Sequence, residues 1–143
     1  MENNLLNKEY WWEYLKNNLK KKMRNNLPLK TITGVENKIL EVDDDYFVVR
    51  SVRSKKNKNR PITKKRVECV LKIILDKGYY DVDIKDMAKA CLDLNDGSNL
   101  KGANTSIIRG LLTELPFVTE GESASKIVFV PALYEQAKWG ITV

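Results

Sequence analysis

The sequence predicts an α+β fold, in which an N-terminal helix and a small antiparallel meander pack beside a second part made of three helices and a β-hairpin. Apolar residues recur at helical spacing before residue 27 and again after residue 63, whereas residues 29–52 form short runs rich in β-branched residues. The chain has 143 residues, of which 43% are hydrophobic and 31% charged. This length and composition suit one ordinary domain or two very small ones.

The first predicted helix lies within residues 7–26. Its apolar stripe consists of residues that recur every four positions, namely Trp11, Leu15, Leu19 and Met23. Tyr10 and Trp12 lie beside this stripe, and they either cover the edge of the core or form a docking surface for a partner. The helix is expected to end at Leu27-Pro28, because a residue before proline disfavours the helical conformation.

Three short strands are predicted for the meander, at residues 29–33, 38–42 and 46–52. The three aspartates at 43–45 are typical of a tight turn between the last two strands. A sheet of this size needs a cover on its apolar face, and the N-terminal helix is the nearest candidate. Residues 53–61 contain no apolar side chain except Pro61, so a solvated loop is expected there.

Helical periodicity returns after Thr63 and predicts three further helices. The first ends at Gly78, the second begins at Asp83 as its N-cap, and the third runs from about Asn104 to Pro116. Residues 117–120 and 126–130 then form a hairpin, and Leu133, Tyr134 and Trp139 are expected to seal the core. We divide the chain into an N-terminal part, residues 1–61, and a helical part with a C-terminal extension, residues 62–143.

Composition excludes several functional classes. Histidine is absent, which removes His-dependent nucleophiles, general bases and metal sites. The two cysteines, Cys69 and Cys91, lie on or near apolar helix faces and are expected to be separate buried thiols in a reducing compartment. We see neither a signal peptide nor an apolar run of membrane-spanning length, and no glycine-rich phosphate loop. We therefore expect a soluble cytoplasmic protein without a cofactor or a membrane partner.

Charge is concentrated in residues 50–66, which hold nine cations and no acidic residue, while the whole chain has a net charge of +6. These cations are Arg50, Arg53, Lys55, Lys56, Lys58, Arg60, Lys64, Lys65 and Arg66. Such clustering is typical of nucleic-acid binding; a solvated surface or an acidic protein partner are the alternatives. The last three cations lie in the first turn of a predicted helix, where the helix dipole disfavours them and a bound phosphate would relieve the conflict.

Three helices followed by a hairpin over residues 63–130 resemble a winged helix-turn-helix domain. The resemblance is carried by residues 83–91, 104–115, 117–120 and 126–130. In that family the third helix enters the major groove and the wing touches the DNA backbone. The resemblance therefore implies DNA contacts by residues of the third helix and the wing, namely Asn104, Thr105, Ser106, Arg109, Thr113 and Lys126. Arg109 would read guanine and Asn104 adenine.

The meander that leads into a basic loop is also similar to DNA-recognition modules of prokaryotic restriction-type nucleases. Two Asp/Glu-x-Lys patterns typical of such nucleases occur, at residues 36–38 and 83–85. Neither is predicted to bind Mg²⁺, because the first has no acidic residue close upstream and Asp83 already serves as a helix cap. A magnesium-dependent nuclease is thus the third alternative, and we predict no catalytic or metal-binding residue.

The sequence as a whole predicts a non-enzymatic double-stranded DNA-binding protein or module. Duplex is favoured over single strands because no aromatic residues interleave with the basic run. The competing hypothesis is a protein-interaction factor, such as a small inhibitor or adaptor in a phage-defence or restriction setting, whose basic loop binds an acidic protein. This hypothesis draws on the acidic wing tip, Glu120 and Glu122, and on the use of winged helices as protein-binding modules. A homodimer is a further alternative.

Overall fold

The computed structural model describes residues 10–52, 59–92 and 103–134. The helices in these ranges are α1 (Tyr10–Arg24), α2 (Lys64–Lys77), α3 (Lys85–Leu92) and α4 (Ala103–Leu112). The strands are β1 (Leu29–Lys30), β2 (Glu36–Val42), β3 (Tyr46–Ser51), β4 (Arg60–Thr63), β5 (Tyr79–Asp81), β6 (Val118–Glu120) and β7 (Lys126–Phe129). These elements confirm the predicted α+β class.

The first sheet is an antiparallel meander in the order β1-β2-β3-β4. The predicted meander is confirmed, but it contains a fourth strand in addition to the three expected. In β4, Ile62 lies opposite Phe47 and both side chains are buried. The predicted loop is therefore shorter than expected, because Arg60 and Pro61 belong to this strand. A proline is tolerated there since β4 is an edge strand.

Helix α1 covers the inner face of this sheet, as its apolar stripe predicts. Trp11, Leu15 and Leu19 are fully buried. Trp12 is buried as well, and its indole N–H donates a hydrogen bond to the backbone carbonyl of Asp44 in the turn between β2 and β3. Of the two interpretations of Trp12, the structure supports the one that places it at the edge of the core.

The helical part follows the predicted order with shifted boundaries. Thr63 caps α2, since its hydroxyl accepts a hydrogen bond from the backbone N–H of Arg66 at 3.2 Å, and α2 ends at Gly78 with a φ of 90°. Helix α3 begins at Lys85 rather than Asp83, whose N–H donates to the Asp81 carboxylate at 2.9 Å in the preceding turn.

The second sheet has the order β5-β7-β6 and is antiparallel throughout. Strands β6 and β7 are the predicted hairpin. Strand β7 is central because β5 pairs with its other side. The sequence does not predict β5, because three residues are too few to show the alternation of apolar and polar residues that marks a strand. Tyr80 of β5 lies opposite Ile127, and both side chains are buried.

The aromatic residues near the end of the described chain pack on the hairpin. Tyr134 lies 5.1 Å from Phe117 and 5.3 Å from Phe129 between ring centroids, in edge-on arrangements. The expectation for Tyr134 is therefore met. That for Leu133 is wrong, because its side chain is 40% exposed. Trp139 lies outside the described residues.

One hydrophobic core joins the two parts of the chain, since buried residues from α1, both sheets, α2 and α4 form a single cluster. The predicted boundary between residues 61 and 62 falls inside β4, and this strand runs directly into α2. A second junction is the close approach of α4 to β1, where a Cβ atom on Gly110 would overlap the carbonyl oxygen of Lys30.

The two cysteines form a disulfide that links α2 to α3, with their Cα atoms 5.8 Å apart. The expectation that Cys69 and Cys91 are separate thiols is therefore wrong. Helical periodicity placed each cysteine on the apolar face of its helix. It does not show that these two faces pack against each other, because the cysteines are 22 residues apart in sequence. Over the described ranges, no helix is both long and apolar enough to cross a membrane.

Candidate nucleic-acid interface

Three cations lie on neighbouring strands at one end of the first sheet. Lys38 of β2 is paired with Arg50 of β3, and Arg60 of β4 lies opposite Val49. The guanidinium Nε of Arg50 donates to the Asn59 side-chain oxygen at 2.9 Å. Lys38 is exposed, and the two arginines are half-buried. Paired residues share a face of the sheet, so Lys38 and Arg50 lie on one face, whereas Arg60 lies with Val49 on the other. Lys38 and Arg50 give this end of the sheet a positive charge that attracts anions.

Four predicted contact residues lie outside the described residues, namely Arg53, Lys55, Lys56 and Lys58, and so does the side chain of Asn104. Val52 and Asn59, which flank residues 53–58, both lie at the positive end of the sheet. Lys38 was not predicted as a site residue. It lies outside the basic run in sequence, and only strand pairing brings it beside Arg50.

The three cations in the first turn of α2 were predicted to bind a phosphate together, but they differ in exposure. Lys65 is exposed, whereas the side chain of Arg66 is only 2% exposed and lies in the core. The backbone N–H of Lys64 donates to the carbonyl of Asp45 at 2.9 Å, so the aspartate turn lies beside the helix N-terminus.

Negative charge in this turn offsets the unfavourable position of the cations. Lys16 donates a hydrogen bond to Asp44 at 3.0 Å, and this bond is the main cause that lowers the pKa of the Asp44 carboxyl; Lys20 and Lys64 lower it further. The predicted conflict between the helix dipole and Lys64 is thus reduced within the protein itself.

Arg109 does not lie on an open helix face. Its side chain is 8% exposed, its Nε donates to the carbonyl of Ala124 at 3.1 Å, and its Nη1 donates to the Thr105 hydroxyl at 3.4 Å. Thr105 is buried too, whereas Ser106 is half-buried. Arg109 and Thr105 are thus buried, and Thr113 is half-buried, in place of the open groove-facing surface that the resemblance implies; contact of these residues with DNA stays a prediction.

The physical reason is that α4 is covered on several sides. Residues 107–112 are all buried, because α4 packs on α2, on β1 and on β4. A helix that is buried all round presents little surface to a groove. The periodicity of the sequence indicated one apolar face on α4. Arg109 and Gly110 lie outside that face and are buried as well, so the buried surface of the helix is wider than predicted.

Arg109 belongs to a buried polar cluster that the sequence did not predict. Burial lowers the pKa of Arg109, and the nearby Tyr80 and Asp81 oppose this effect. Burial likewise raises the pKa of the Tyr80 phenol, while Arg109 and Arg66 act in the opposite direction. These residues come from α2, β5 and α4, so no local pattern could have indicated the cluster.

Lys126 on the hairpin interacts with its own surroundings. Its ammonium lies 3.6 Å from the Glu122 carboxylate and 4.9 Å from the centre of the Tyr79 ring. The side chain is half-buried. The predicted wing contact is therefore a cation that is partly neutralised by the acidic loop beside it.

In the described residues, neither nuclease-like pattern, 36–38 or 83–85, is arranged as a metal-binding site. Glu36 lies 3.9 Å from the ammonium of Lys30, and Asn37 is buried with its amide donating to the carbonyls of Leu29 and Val35. Asp83 is exposed in the turn before α3. Within residues 10–52, 59–92 and 103–134, no three acidic or cysteine side chains are grouped so that they could hold a metal ion.

Comparison with known proteins adds no relative: no protein-family model, no curated protein and no solved structure matches this chain.

Proposed function

We propose that this chain is a non-enzymatic double-stranded DNA-binding protein or module that contacts the phosphate backbone. We assign the contacts first to Lys38 and Arg50 and to the cations of residues 53–58, which follow β3 in sequence. Arg60 on the opposite face and Lys65 at the other end of the sheet are separate candidate contacts. The observation that carries the proposal is the pairing of Lys38 with Arg50 on one face of the sheet, at the end where residues 53–58 follow β3 in sequence. Clustered cations of this kind neutralise phosphates and release counterions.

The proposed winged helix-turn-helix covers residues 63–130. Support comes from the order of its elements, in which α2, α3 and α4 precede the hairpin of β6 and β7. The burial of α4 favours binding through phosphates over base reading by Arg109. Asn104 and Ser106, at the start of α4, are the residues we retain as candidate groove contacts.

The experiment that tests this function compares three fluorescently labelled probes at several salt concentrations: a 20-base-pair duplex, one of its strands, and an RNA of the same sequence. We expect the duplex to bind most tightly. If four to six phosphates are neutralised, the logarithm of the affinity should fall against the logarithm of salt with a slope of roughly −4 to −5.

The decisive variant is the double change Lys38→Gln and Arg50→Gln, which should flatten the salt slope by up to about 2 and weaken binding to all sequences alike. The matched control is Lys72→Gln with Lys77→Gln, which removes two exposed cations from α2. Equal losses for the two double variants, or a duplex affinity no higher than that of a neutral protein, would contradict the proposal.

A protein-interaction factor is the second candidate. The burial of α4 and the acidic residues Glu120 and Glu122 favour it, because neither feature suits a DNA groove. A cytoplasmic location remains part of our proposal. It requires the bond between Cys69 and Cys91 to be reduced in the cell or to form only transiently, since cytosolic thiols are kept reduced.

A further inference from the structure

We propose that a pocket beside the end of α1 binds a large apolar side chain of an acidic protein segment. The pocket has a volume of about 290 Å³ and lies between the last turn of α1, the start of β2 and the end of β3. Its apolar lining is supplied by Met23, Leu27, Pro28, Ile39 and Val52.

The exposure of its walls indicates that the pocket lacks a cover within the described residues. Leu27 is 53% exposed and Val52 is 64% exposed, and they are the two most exposed large hydrophobic side chains of the described residues. Exposed apolar residues that line the same concave site mark an interaction surface more often than scattered ones do. The volume suits one anchor side chain such as phenylalanine, leucine or methionine.

Two charged side chains line this pocket, the cation Lys38 and the acid Glu36, and cations outnumber acids among the described residues around it. Lys38 lines it and is exposed, and Lys21 lines an adjacent depression of about 420 Å³ that shares Leu27. Of the two nearby acids, Glu36 is 3.9 Å from Lys30 and Glu114 is 3.5 Å from Lys22, so both already have cationic partners.

Arg24 adds a further exposed cation at the end of α1, next to Met23. The surplus charge around the pocket is therefore positive. A partner segment that carries acidic residues on both sides of its apolar anchor complements this surface.

Other occupants fit the site less well. A membrane surface is recognised by protruding apolar side chains, whereas this site is concave. A nucleobase would need an aromatic platform, and the lining of the pocket contains no aromatic residue among those described. A second copy of the chain would bring a like net charge of +6.

The test uses a labelled 11-residue peptide in which a central phenylalanine is flanked by aspartate and glutamate, with the full-length protein as receptor. Two matched peptides carry alanine at the centre, or lysine and arginine as flanks. By fluorescence anisotropy we expect the phenylalanine peptide to bind at least tenfold more tightly than either control. Raising the salt concentration should weaken it, because the flanking contacts are ionic.

The receptor variants are Leu27→Ser and Val52→Ser, which should each weaken the phenylalanine peptide five- to tenfold. Leu133→Ser is the matched control, since Leu133 is exposed to a similar degree but lies outside the pocket, and it should leave binding unchanged. Thermal melting shows that each variant remains folded. Because all the substituted residues are exposed, the substitutions should change the free energy of unfolding little.

Several outcomes would overturn the proposal. These are equal binding of the phenylalanine and alanine peptides, and equal effects of Leu27→Ser and Leu133→Ser. Binding of phosphatidylserine vesicles or of duplex DNA that depends on Leu27 as strongly would assign the pocket to another class of partner. Self-association that is lost in Leu27→Ser, measured by sedimentation, would assign it to a second copy.

Discussion

Gly110 in α4 lies directly against the backbone carbonyl of Lys30 in β1. A Cβ atom at position 110 would overlap that oxygen and would come within 3.0 Å of the Cα atom of Thr31. This contact seats the N-terminal sheet on α4 and contributes to the burial of residues 107–112. It therefore removes from solvent the helix that the winged-helix resemblance would place in a DNA groove.

Gly110→Ala should destabilise the protein. In an open helix the change would gain up to about 1 kcal/mol from helix propensity. Here the obstructing atoms are backbone, and overpacking of this kind costs about 1–3 kcal/mol. We expect a net loss in the free energy of unfolding in urea, with Lys72→Ala on the exposed side of α2 as a control that changes little. A Gly110→Ala variant more stable than the parent would show that α4 and β1 are separated in solution.

Arg109→Ala should cost about 2–4 kcal/mol of stability, because it opens a cavity and leaves the Ala124 carbonyl without its buried donor. Arg109→Lys should lose less, since a lysine can still donate one hydrogen bond. Thermal melting and urea unfolding measure both variants. If Arg109→Ala instead melts like the parent and relaxes a sequence preference in DNA binding, then Arg109 reads bases and its buried position here is not the one used on DNA.

Reduction of the bond between Cys69 and Cys91 should lower the stability of the protein. The cysteines are 22 residues apart, and closing a loop of this size is worth about 3 kcal/mol by the chain-entropy estimate. We expect urea unfolding to shift to lower concentration when a phosphine reductant is added. The variant with both cysteines changed to serine should unfold early with or without reductant. A parent protein that unfolds identically in both conditions would argue that the two thiols are not bonded in solution.

Glu114 should make the protein less stable as pH rises. Burial raises the pKa of its carboxyl above the ordinary 4.5, and the nearby Lys22 only partly opposes this. The folded state then binds the proton more tightly than the unfolded state. The stability contributed below pH 4.5 is therefore lost as pH rises through the folded pKa. Glu114→Gln should flatten this part of the curve in urea unfolding measured from pH 4 to 8. An unchanged curve would contradict the assignment.

Asp44 should have the opposite effect at lower pH. The hydrogen bond from Lys16 lowers the pKa of Asp44 below its ordinary 3.8, so its contribution is present above that value and is lost as pH falls through the folded pKa. Asp44→Asn should remove the part of the stability loss at acid pH that comes from this carboxyl. The change in stability toward neutral pH, which we assign to Glu114, should be the same as in the parent. The measurement is unfolding between pH 2 and 5, at low salt and at high salt. An Asp44→Asn variant with the same acid transition as the parent would count against the contact with Lys16.

The sequence by itself determined the local elements of this protein. The stripe that includes Trp11 and Leu15 predicted α1, and the β-branched runs predicted three strands of the meander. The apolar spacing after Thr63 predicted three helices, and two short strand-like runs, 117–120 and 126–130, predicted the hairpin. Each of these depends on neighbours within a few residues, and periodicity reports such neighbours directly. The concentration of positive charge in residues 50–66 is likewise a property of the sequence alone.

Only the tertiary structure decided which of those elements are covered and which charges meet. The link between Trp12 and Asp44 spans 32 residues, and it brings an acidic turn to the cationic start of α2. The bond between Cys69 and Cys91, the pairing of Lys38 with Arg50 and the seating of Gly110 on Lys30 are also contacts between separate elements. Side-chain burial and charge pairing depend on such distant neighbours. The periodicity of a single segment therefore could not show that Arg109 lies inside the protein.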